Sequence, residues 1–327
     1  MTLIADPYAK RGSRRMIETL GVVICATSWL ACDSTLPCPT CTLLPVHVVV
    51  TIDDGPLLAD LPAPTDSDAN TELKPLRDIL AALKNRAATA VFFITPRTEQ
   101  AASDYKATLA QGLSDIHFGG HVLGYHAFVH DPGIWINPLL PAPFAELMMN
   151  RDLDRLGQWL DEVLPPLGAS RTDWFQPVFR QPYGGAGFFV YEGVAVAAAR
   201  SLTYRGYWID SGDWVNNADA DPAIRQKLNV TTENEQDSFV RAQLHSGVLA
   251  NQGRDLVDVL LHVNELTAAH VGDWLDQIAA DYVSLGSGPV QFDVPDRYLQ
   301  TTDPFVDPGV GVQVASPLTL GNLLLPG

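Results

Sequence analysis

The sequence is poor in cysteine, in basic residues and in long hydrophobic runs, and each shortage bears on the class of protein. Four cysteines in 327 residues are too few for a fold built on disulfides. Only 21 Lys and Arg stand against 38 Asp and Glu, which gives a net charge of −17 at pH 7. Phosphate binding needs clustered Lys and Arg, so this balance argues against nucleic acid as a partner. No apolar run reaches the ~20 residues that a membrane-spanning helix requires.

What the sequence does contain is the composition of a globular protein. Hydrophobic residues make up 46% and charged residues 18%, which excludes a mostly disordered chain. A chain of 327 residues is long enough for one large domain or two small ones with a buried core.

The first thirty-one residues have the layout of an export signal. Basic side chains come first, and an apolar stretch without charge follows them at residues 20–31. The basic residues are Lys10, Arg11, Arg14 and Arg15. A basic start before a short apolar segment is typical of a secretory signal. We therefore expect residues 1–31 to be a signal peptide and the protein to be exported; the alternative is a buried helix of the domain itself.

The end of this segment resembles a bacterial lipoprotein cleavage site. Ala31 precedes Cys32, which would then become the lipidated first residue, although Trp29 stands where Leu is usual. We expect either membrane anchoring through lipidated Cys32 or a periplasmic or extracellular protein. Residues 32–45 form a Pro- and Thr-rich tether. Nothing near Cys38 and Cys41 completes a zinc or redox site, so we expect a local disulfide or no function for this pair.

Beyond the tether, short apolar runs alternate with longer amphipathic stretches. The apolar runs predict strands at residues 46–50, 91–94, 122–123, 175–179, 204–209, 256–261 and 290–292. Helical spacing predicts helices at residues 73–83, 101–111, 144–163, 190–200 and 271–282, with two more between 222 and 245. Strands that alternate with helices pair in parallel through right-handed crossovers. We therefore predict an α/β fold, a distorted (β/α) barrel of about seven strands, over residues 46–300, followed by a tail at 301–327.

In such barrels the chemistry gathers at the carboxyl ends of the strands, so the polar residues there are the candidates. The first strand ends in Asp53 and Asp54, and two adjacent carboxylates are costly unless they serve a cation or act as a base. A helix cap with a surface Asp is the alternative. His126 and His130 are four residues apart, so on one helical turn both imidazoles would face the same side. Together with a carboxylate they would form a three-ligand metal site.

The later strands are followed by further polar residues. Arg180 follows the strand at 175–179, and an Arg at this place can hold a carboxylate through two hydrogen bonds. The glycine-rich turn behind it could present backbone N–H groups to an oxyanion; a surface Arg and a tight turn are the alternative. Asp210, Asp213 and Trp214 follow the next strand, and His262 closes the strand at 256–261.

Five of these segments, in this order, resemble the motifs of the polysaccharide deacetylases, the family 4 carbohydrate esterases with a NodB homology domain. The segments are residues 51–56, 126–130, 180–184, 210–214 and 260–262. The resemblance extends over residues 46–292 and implies a NodB-like barrel. Ile52 replaces the usual Phe, Ala127 replaces a Ser or Thr, and Gln181 stands where Pro is frequent. The missing hydroxyl at Ala127 is expected to loosen the loop at residues 126–130 or to weaken the binding of a metal ion there.

The resemblance also implies a role for each matching residue. Asp54, His126 and His130 would bind one divalent metal ion, expected to be Zn²⁺, with Co²⁺ or Ni²⁺ as alternatives. Asp53 would be the general base, and Arg180 would hold it in place as its carboxylate.

The remaining roles concern the acid and the substrate. His262 would protonate the leaving group, and Asp213 would orient its imidazole. The backbone N–H of Tyr183 would stabilise the oxyanion. The expected substrate contacts are Trp214, Pro182 and Leu260.

The function implied is a metal-dependent hydrolase that removes N-acetyl groups, or also O-acetyl groups, from a polysaccharide such as peptidoglycan or a chitin-like glycan. Two alternatives stay open at this point. One is a non-catalytic carbohydrate-binding lipoprotein on the same fold, which Ala127 and the long loop at residues 58–70 favour. The other is an amide hydrolase with a different substrate.

Overall fold

A computed structural model describes residues 43–57, 69–137, 139–185, 190–216 and 222–300. The predicted signal peptide, most of the tether, all four cysteines and the tail at 301–327 lie outside the described residues. Within the described ranges, no helix combines the length and the apolar character that crossing a bilayer requires.

In the described part of the chain, eight strands form one sheet. They are β1 (Val46–Gly55), β2 (Ala90–Ile94), β3 (Val122–Tyr125), β4 (Phe175–Phe179), β5 (Thr203–Tyr204), β6 (Ile209–Asp210), β7 (Leu256–His262) and β8 (Val290–Gln291). Seven of them follow the order β5-β4-β3-β2-β1-β7-β6, and β8 pairs with the start of β1. Every pairing is parallel. All carboxyl ends of the strands therefore lie at the same edge of the sheet.

The sheet curls because its two outer strands are neighbours in sequence. Tyr204 pairs with β4 at one end of the sheet, and Ile209 pairs with β7 at the other end. A chain of this length spans at most about 18 Å, so the two ends of the sheet must come close together. The distorted (β/α) barrel is thereby confirmed. The prediction of one strand over residues 204–209 is wrong, because this apolar run crosses between the two edges and pairs only at its ends.

The strands are connected mainly by helices. These are α1 (Ala69–Glu72), α2 (Lys74–Asn85), α3 (Glu99–Asp104), α4 (Lys106–Phe118), α5 (Pro132–Trp135), α6 (Ala142–Val163), α7 (Arg171–Trp174), α8 (Val190–Ala199), α9 (Pro222–Leu228), α10 (Glu233–Ala250), α11 (Glu265–Ser284) and α12 (Asp296–Gln300). Short 3₁₀ turns lie at Pro165–Leu167, Pro182–Gly185 and Asp213–Asn216. The single helix predicted over residues 101–111 is instead α3 and α4, because Tyr105 leaves the helical conformation with φ −107° and ψ 21° and buries its ring.

Side chains on the strands divide between two hydrophobic clusters. The larger cluster lies between the sheet and the helices and includes Val48, Val50 and Ile52 of β1. The smaller cluster fills the inside of the barrel. Its members are Val49, Val91, Phe93, Val178 and Tyr298 of α12. Alternation along β1 places Thr51 and Asp53 on the same side as Val49. The interior thus changes from apolar to polar toward the carboxyl end of β1, which is where the predicted site residues lie.

Candidate active site

The two acids at the end of β1 lie in one site although they are neighbours in the chain. Regular alternation would place Asp53 and Asp54 on opposite faces of the sheet. The register between β1 and β2 shifts between Ile52 and Gly55, and Asp54 adopts a left-handed backbone conformation with φ 65°. Both acids are buried, with 4% and 3% of their surface exposed. The irregular strand end therefore directs both carboxylates to the same pocket.

Asp54 lies between the two histidines. Its Oδ1 atom is 3.4 Å from Nε2 of His126 and 3.3 Å from Nε2 of His130. One ligand atom from each of the three residues lies within 4.8 Å of the others. The structure thus brings the three predicted metal ligands together.

The donor set fits a metal ion. Oδ1 of Asp54 is buried and has no hydrogen-bond partner, and a buried acceptor without a partner is costly. A divalent cation among the three ligand atoms would satisfy this oxygen. One carboxylate with two imidazoles is also a ligand combination found in catalytic zinc sites, which keep a coordination position open.

Both imidazoles are suited to act as ligands. Nδ1 of His126 lies 2.7 Å from the carbonyl oxygen of Arg180. Because a carbonyl only accepts, Nδ1 carries a proton, and Nε2 is the ring nitrogen that faces the site. Burial and the Arg97 charge lower the pKa of His130 to about 3, although Asp54 acts in the opposite direction. His130 is therefore neutral at pH 7.

The prediction that the two histidines share a helical turn is wrong. β3 ends at Tyr125, and residues 126–130 form a loop. Asp152 of α6 holds this loop, since its carboxylate accepts the N–H of Phe128 at 2.7 Å and the N–H of Val129 at 3.1 Å. Two hydrogen bonds to a buried carboxylate thus fix the loop that lacks a hydroxyl at Ala127. A spacing of four suits either a helical turn or this loop, so it could not distinguish them.

Asp152 was missed in the sequence. Burial raises its pKa to about 6, although the two backbone N–H groups lower it. It occupies a buried position of α6, next to Leu153 and among apolar side chains. A carboxylate at a position where the helical period requires an apolar residue is the signal that could have identified it.

Arg180 holds the other acid. It is one of the largest fully buried side chains of the described region, and its Nη1 donates to Oδ1 of Asp53 at 3.1 Å. The same nitrogen donates to the Thr51 hydroxyl. Nη2 donates to the carbonyl of Gly206 and lies 3.4 Å from Oδ2 of Asp258. Burial acts to lower the pKa of Arg180, but the neighbouring acids raise it above its usual value, so Arg180 is charged.

The largely buried His262 forms a second pair with the fully buried Asp213. Nδ1 of His262 lies 2.7 Å from Oδ1 of Asp213, and the His262 backbone N–H donates to Oδ2 at 2.7 Å. Burial acts to lower the pKa of His262, but Asp213, with smaller contributions from Asp54 and Asp53, raises it to about 10. His262 is therefore an imidazolium at neutral pH.

Hydroxyl groups fix the Asp213 carboxylate. Ser211 donates to Oδ1 at 2.8 Å, and the Thr267 hydroxyl donates to Oδ2. The Asn264 amide donates to the Asp213 backbone carbonyl at 3.2 Å. Sequence reasoning assigned no role to Ser211, although it lies within the segment at residues 210–214. It missed Asn264 and Thr267 because they lie at the start of α11 and carry no motif of their own.

The remaining predicted residues lie around these pairs. Tyr183 has a left-handed backbone with φ 59°, and its hydroxyl donates to the backbone carbonyl of His130 at 3.0 Å. Pro182 is buried beside it in the 3₁₀ turn. Leu260 is buried two residues before His262 on the same side of β7, and half-buried Trp214 follows Asp213. Their contacts with a substrate remain predictions.

Arg97 is a member of the site that sequence reasoning missed. It lies three residues after β2, and its Nη1 donates to Oδ2 of Asp54 at 2.8 Å. Burial acts to raise the pKa of Asp54, but Arg97 and the nearby histidines lower it well below its usual value. The search for polar residues after each strand would have identified Arg97 had it included β2.

Comparison with known proteins identifies the fold. No protein-family model and no curated protein sequence matches the chain. Among solved structures, the chitin deacetylase of the fungus Colletotrichum lindemuthianum is similar with a TM-score of 0.50 and 16% identity, over 80% of this chain and 90% of that chain. A family 4 carbohydrate esterase from Streptococcus mutans has a TM-score of 0.48 and 21% identity, over 76% of this chain and 87% of that chain. A family 4 pseudoenzyme from Bacillus anthracis has a TM-score of 0.45 and 14% identity, over 77% of this chain and 68% of that chain.

The likeness to the chitin deacetylase shows that the two chains share a fold. It confirms, at the level of the fold, the resemblance to the polysaccharide deacetylases that the five sequence segments indicate.

Proposed function

We propose that the protein is a metal-dependent deacetylase that removes N-acetyl groups from a polysaccharide of the peptidoglycan or chitin type, with O-acetyl groups as a second target. One observation carries the proposal. The unpartnered Oδ1 of Asp54 lies between Nε2 of His126 and Nε2 of His130, directly beside the buried pair of Asp53 and Arg180.

Asp54, His126 and His130 would hold one divalent ion. Zn²⁺ suits a carboxylate with two imidazoles, and Co²⁺ or Ni²⁺ could replace it. When bound, such an ion supplies a Lewis acid that polarises an acetyl carbonyl and lowers the pKa of water.

Asp53 acts as the general base in this proposal. Arg180 occupies Oδ1 of Asp53, which leaves Oδ2 facing the ligand side of the pocket, 4.0 Å from Nε2 of His126. Oδ2 is therefore the atom that takes the proton of the attacking water. A positioned base or acid of this kind contributes on the order of 10²–10⁴ in rate.

His262 acts as the general acid. Asp213 holds Nδ1 of the imidazolium, so the proton on Nε2 is the one available to the leaving group. An amine is a poor leaving group unless it is protonated, and a charged His262 meets this need at neutral pH. This requirement favours N-acetyl over O-acetyl substrates.

The carbonyl oxygen of the acetyl group develops negative charge during attack. The backbone N–H of Tyr183 is proposed to donate to it, because the left-handed conformation of Tyr183 sets this peptide at a sharp turn beside His130. Trp214, Pro182 and Leu260 are proposed to contact the acetyl group and the sugar.

Export would place the protein near cell-wall or environmental glycans. A signal peptide at residues 1–31, with a lipidated Cys32 as one form of the mature protein, is part of the proposal. It is tested separately, by N-terminal sequencing and mass measurement of the protein from a membrane fraction.

Acetate release tests the activity. Full-length protein is incubated with chitin oligosaccharides, peptidoglycan and acetylated xylan, with chelator and after addition of Zn²⁺. We expect metal-dependent acetate release, which Asp53→Asn reduces on the order of 10²–10⁴ while Zn²⁺ still binds. Asp276→Asn, at an acid exposed on the surface, is the matched control. A zinc-loaded protein that binds these glycans and releases no acetate would instead support the carbohydrate-binding alternative.

A further inference from the structure

Arg97 and the two histidines approach opposite oxygens of one carboxylate. Nη1 of Arg97 donates to Oδ2 of Asp54 at 2.8 Å, and the side chains are 10% and 3% exposed. Oδ1 faces the two imidazoles at 3.3 and 3.4 Å. Arg97 thus donates to Oδ2, and Oδ1 is the Asp54 oxygen that lies beside the two imidazoles.

Arg97 is also tied to the ligand loop through its backbone. Its carbonyl accepts the N–H of His130 at 3.0 Å, and its own N–H donates to the Thr95 hydroxyl at 2.9 Å. Its φ of 66° is unfavourable for a side chain of this size, so these bonds hold it in a conformation that it would not adopt alone. A single residue therefore contacts one candidate ligand by its side chain and another by its backbone.

Among the described residues, each of the two acids is paired with a guanidinium. Asp53 pairs with the buried Arg180, and Asp54 pairs with Arg97, whose side chain is only partly exposed. A divalent cation at Oδ1 would enter beside the positive charge of Arg97. Like charges repel more strongly in a buried site than in water.

We propose that Arg97 restricts Asp54 to a single-oxygen ligand and that its charge weakens the binding of a divalent cation, so that the metal-free site is stable and its metal exchangeable. This inference rests on the metal centre of the proposed function. A structural role alone predicts the opposite effect, since loss of Arg97 would then release Asp54 and weaken metal binding.

The test is a metal titration of the full-length protein after removal of metal by a chelator. Zn²⁺ affinity is measured by competition with a chelating dye, and Co²⁺ binding by its visible absorption. Arg97→Gln keeps an amide donor for Asp54 but removes the charge, and we expect it to bind Zn²⁺ about tenfold more tightly or better. Arg97→Lys keeps the charge and should stay within about threefold of the wild type.

Two further measurements make the result specific. Lys106→Gln removes a positive charge from the exposed pair with Glu162 and should leave the affinity unchanged. The metal-free form of Arg97→Gln should melt at a lower temperature than the wild type, because Asp54 loses its charged partner. Added Zn²⁺ should remove this difference in melting temperature. If Arg97→Gln does not fold, Arg97→Met replaces it with the same expectation for the affinity.

The outcomes separate this inference from the proposed function. Unchanged or weaker Zn²⁺ binding by a folded Arg97→Gln protein overturns the role of Arg97 and leaves the metal centre intact. Binding that His126→Ala removes from both the wild type and Arg97→Gln assigns the measured ion to this site. If neither the wild type nor Arg97→Gln binds Zn²⁺, both the role of Arg97 and the metal centre are wrong.

Discussion

Asp53 and His262 occupy paired positions on the neighbouring parallel strands β1 and β7. The Val263 backbone N–H donates to the carbonyl of Asp53 at 3.1 Å, which continues the pairing past the end of β7. Each residue is held by a buried partner of opposite charge, Arg180 for the acid and Asp213 for the imidazole. The proposed base and the proposed acid are thus fixed at adjacent strand ends, each by its own buried partner.

The first prediction concerns Asp213 and the pH dependence of the reaction. The proposed acid must be protonated, so the rate should fall as the pH rises through the pKa of His262, about 10. Asp213→Asn removes the charge that raises this pKa, and the alkaline fall should therefore move to lower pH. The profile of kcat against pH measures the shift. If the alkaline fall of kcat stays at the same pH in Asp213→Asn, His262 is not the general acid.

The second prediction concerns Arg180. Lys in its place keeps the charge but not the planar fork that contacts Asp53, Thr51 and the carbonyl of Gly206 together. We expect Arg180→Lys to lower kcat by about a hundredfold while Zn²⁺ binding remains, because Asp53 loses its orientation. Kinetics and metal titration on the same protein check this. Arg86→Lys, at a surface pair with Asp276, is the control and should be fully active. Full activity of Arg180→Lys would show that charge alone suffices.

The third prediction concerns the loop that carries the histidines. Asp152→Ala leaves the N–H groups of Phe128 and Val129 without their buried acceptor, which should cost about 1–3 kcal/mol of unfolding free energy. The loosened loop should weaken Zn²⁺ binding about 10–100-fold. Urea unfolding and metal competition provide the two measurements.

Asp154→Ala is the matched control for the loop, because Asp154 lies two residues along the same helix and is exposed in a pair with Arg200. It should leave metal affinity unchanged. Equal effects of the two substitutions would mean that Asp152 acts through α6 as a whole and not through the loop.

The fold and most of the site residues could be predicted because both can be read from short stretches of sequence. Buried strands stand out as apolar runs, and polar residues such as Asp53 and His262 directly follow them. Parallel pairing then brings these strand ends together, whatever the details of the connecting helices. The run at residues 204–209 misled this reasoning, since apolar periodicity does not reveal that its two ends belong to opposite edges of the sheet.

The partners that hold the site depend on contacts between distant segments. Asp152 lies 24 residues from Phe128 and contacts it only because α6 packs against the loop after β3. Asp258, on β7, lies beside Arg180 because both strands contribute to the interior of one barrel. Such contacts become visible only when the helices and strands are assembled. Arg97 differs, because it follows a strand and could have been found by searching for polar residues after each predicted strand.

We propose that one divalent ion, held by Asp54, His126 and His130, is required for deacetylation. This requirement is tested by titrating metal-free full-length protein with Zn²⁺ while acetate release from an N-acetylglucosamine oligomer is measured. We predict that the rate rises in proportion to added Zn²⁺ and levels off at about one equivalent per chain, and that His130→Ala shows no rise. Acetate release that is equally fast in the metal-free protein, or in His130→Ala, would show that no metal ion at this site is needed.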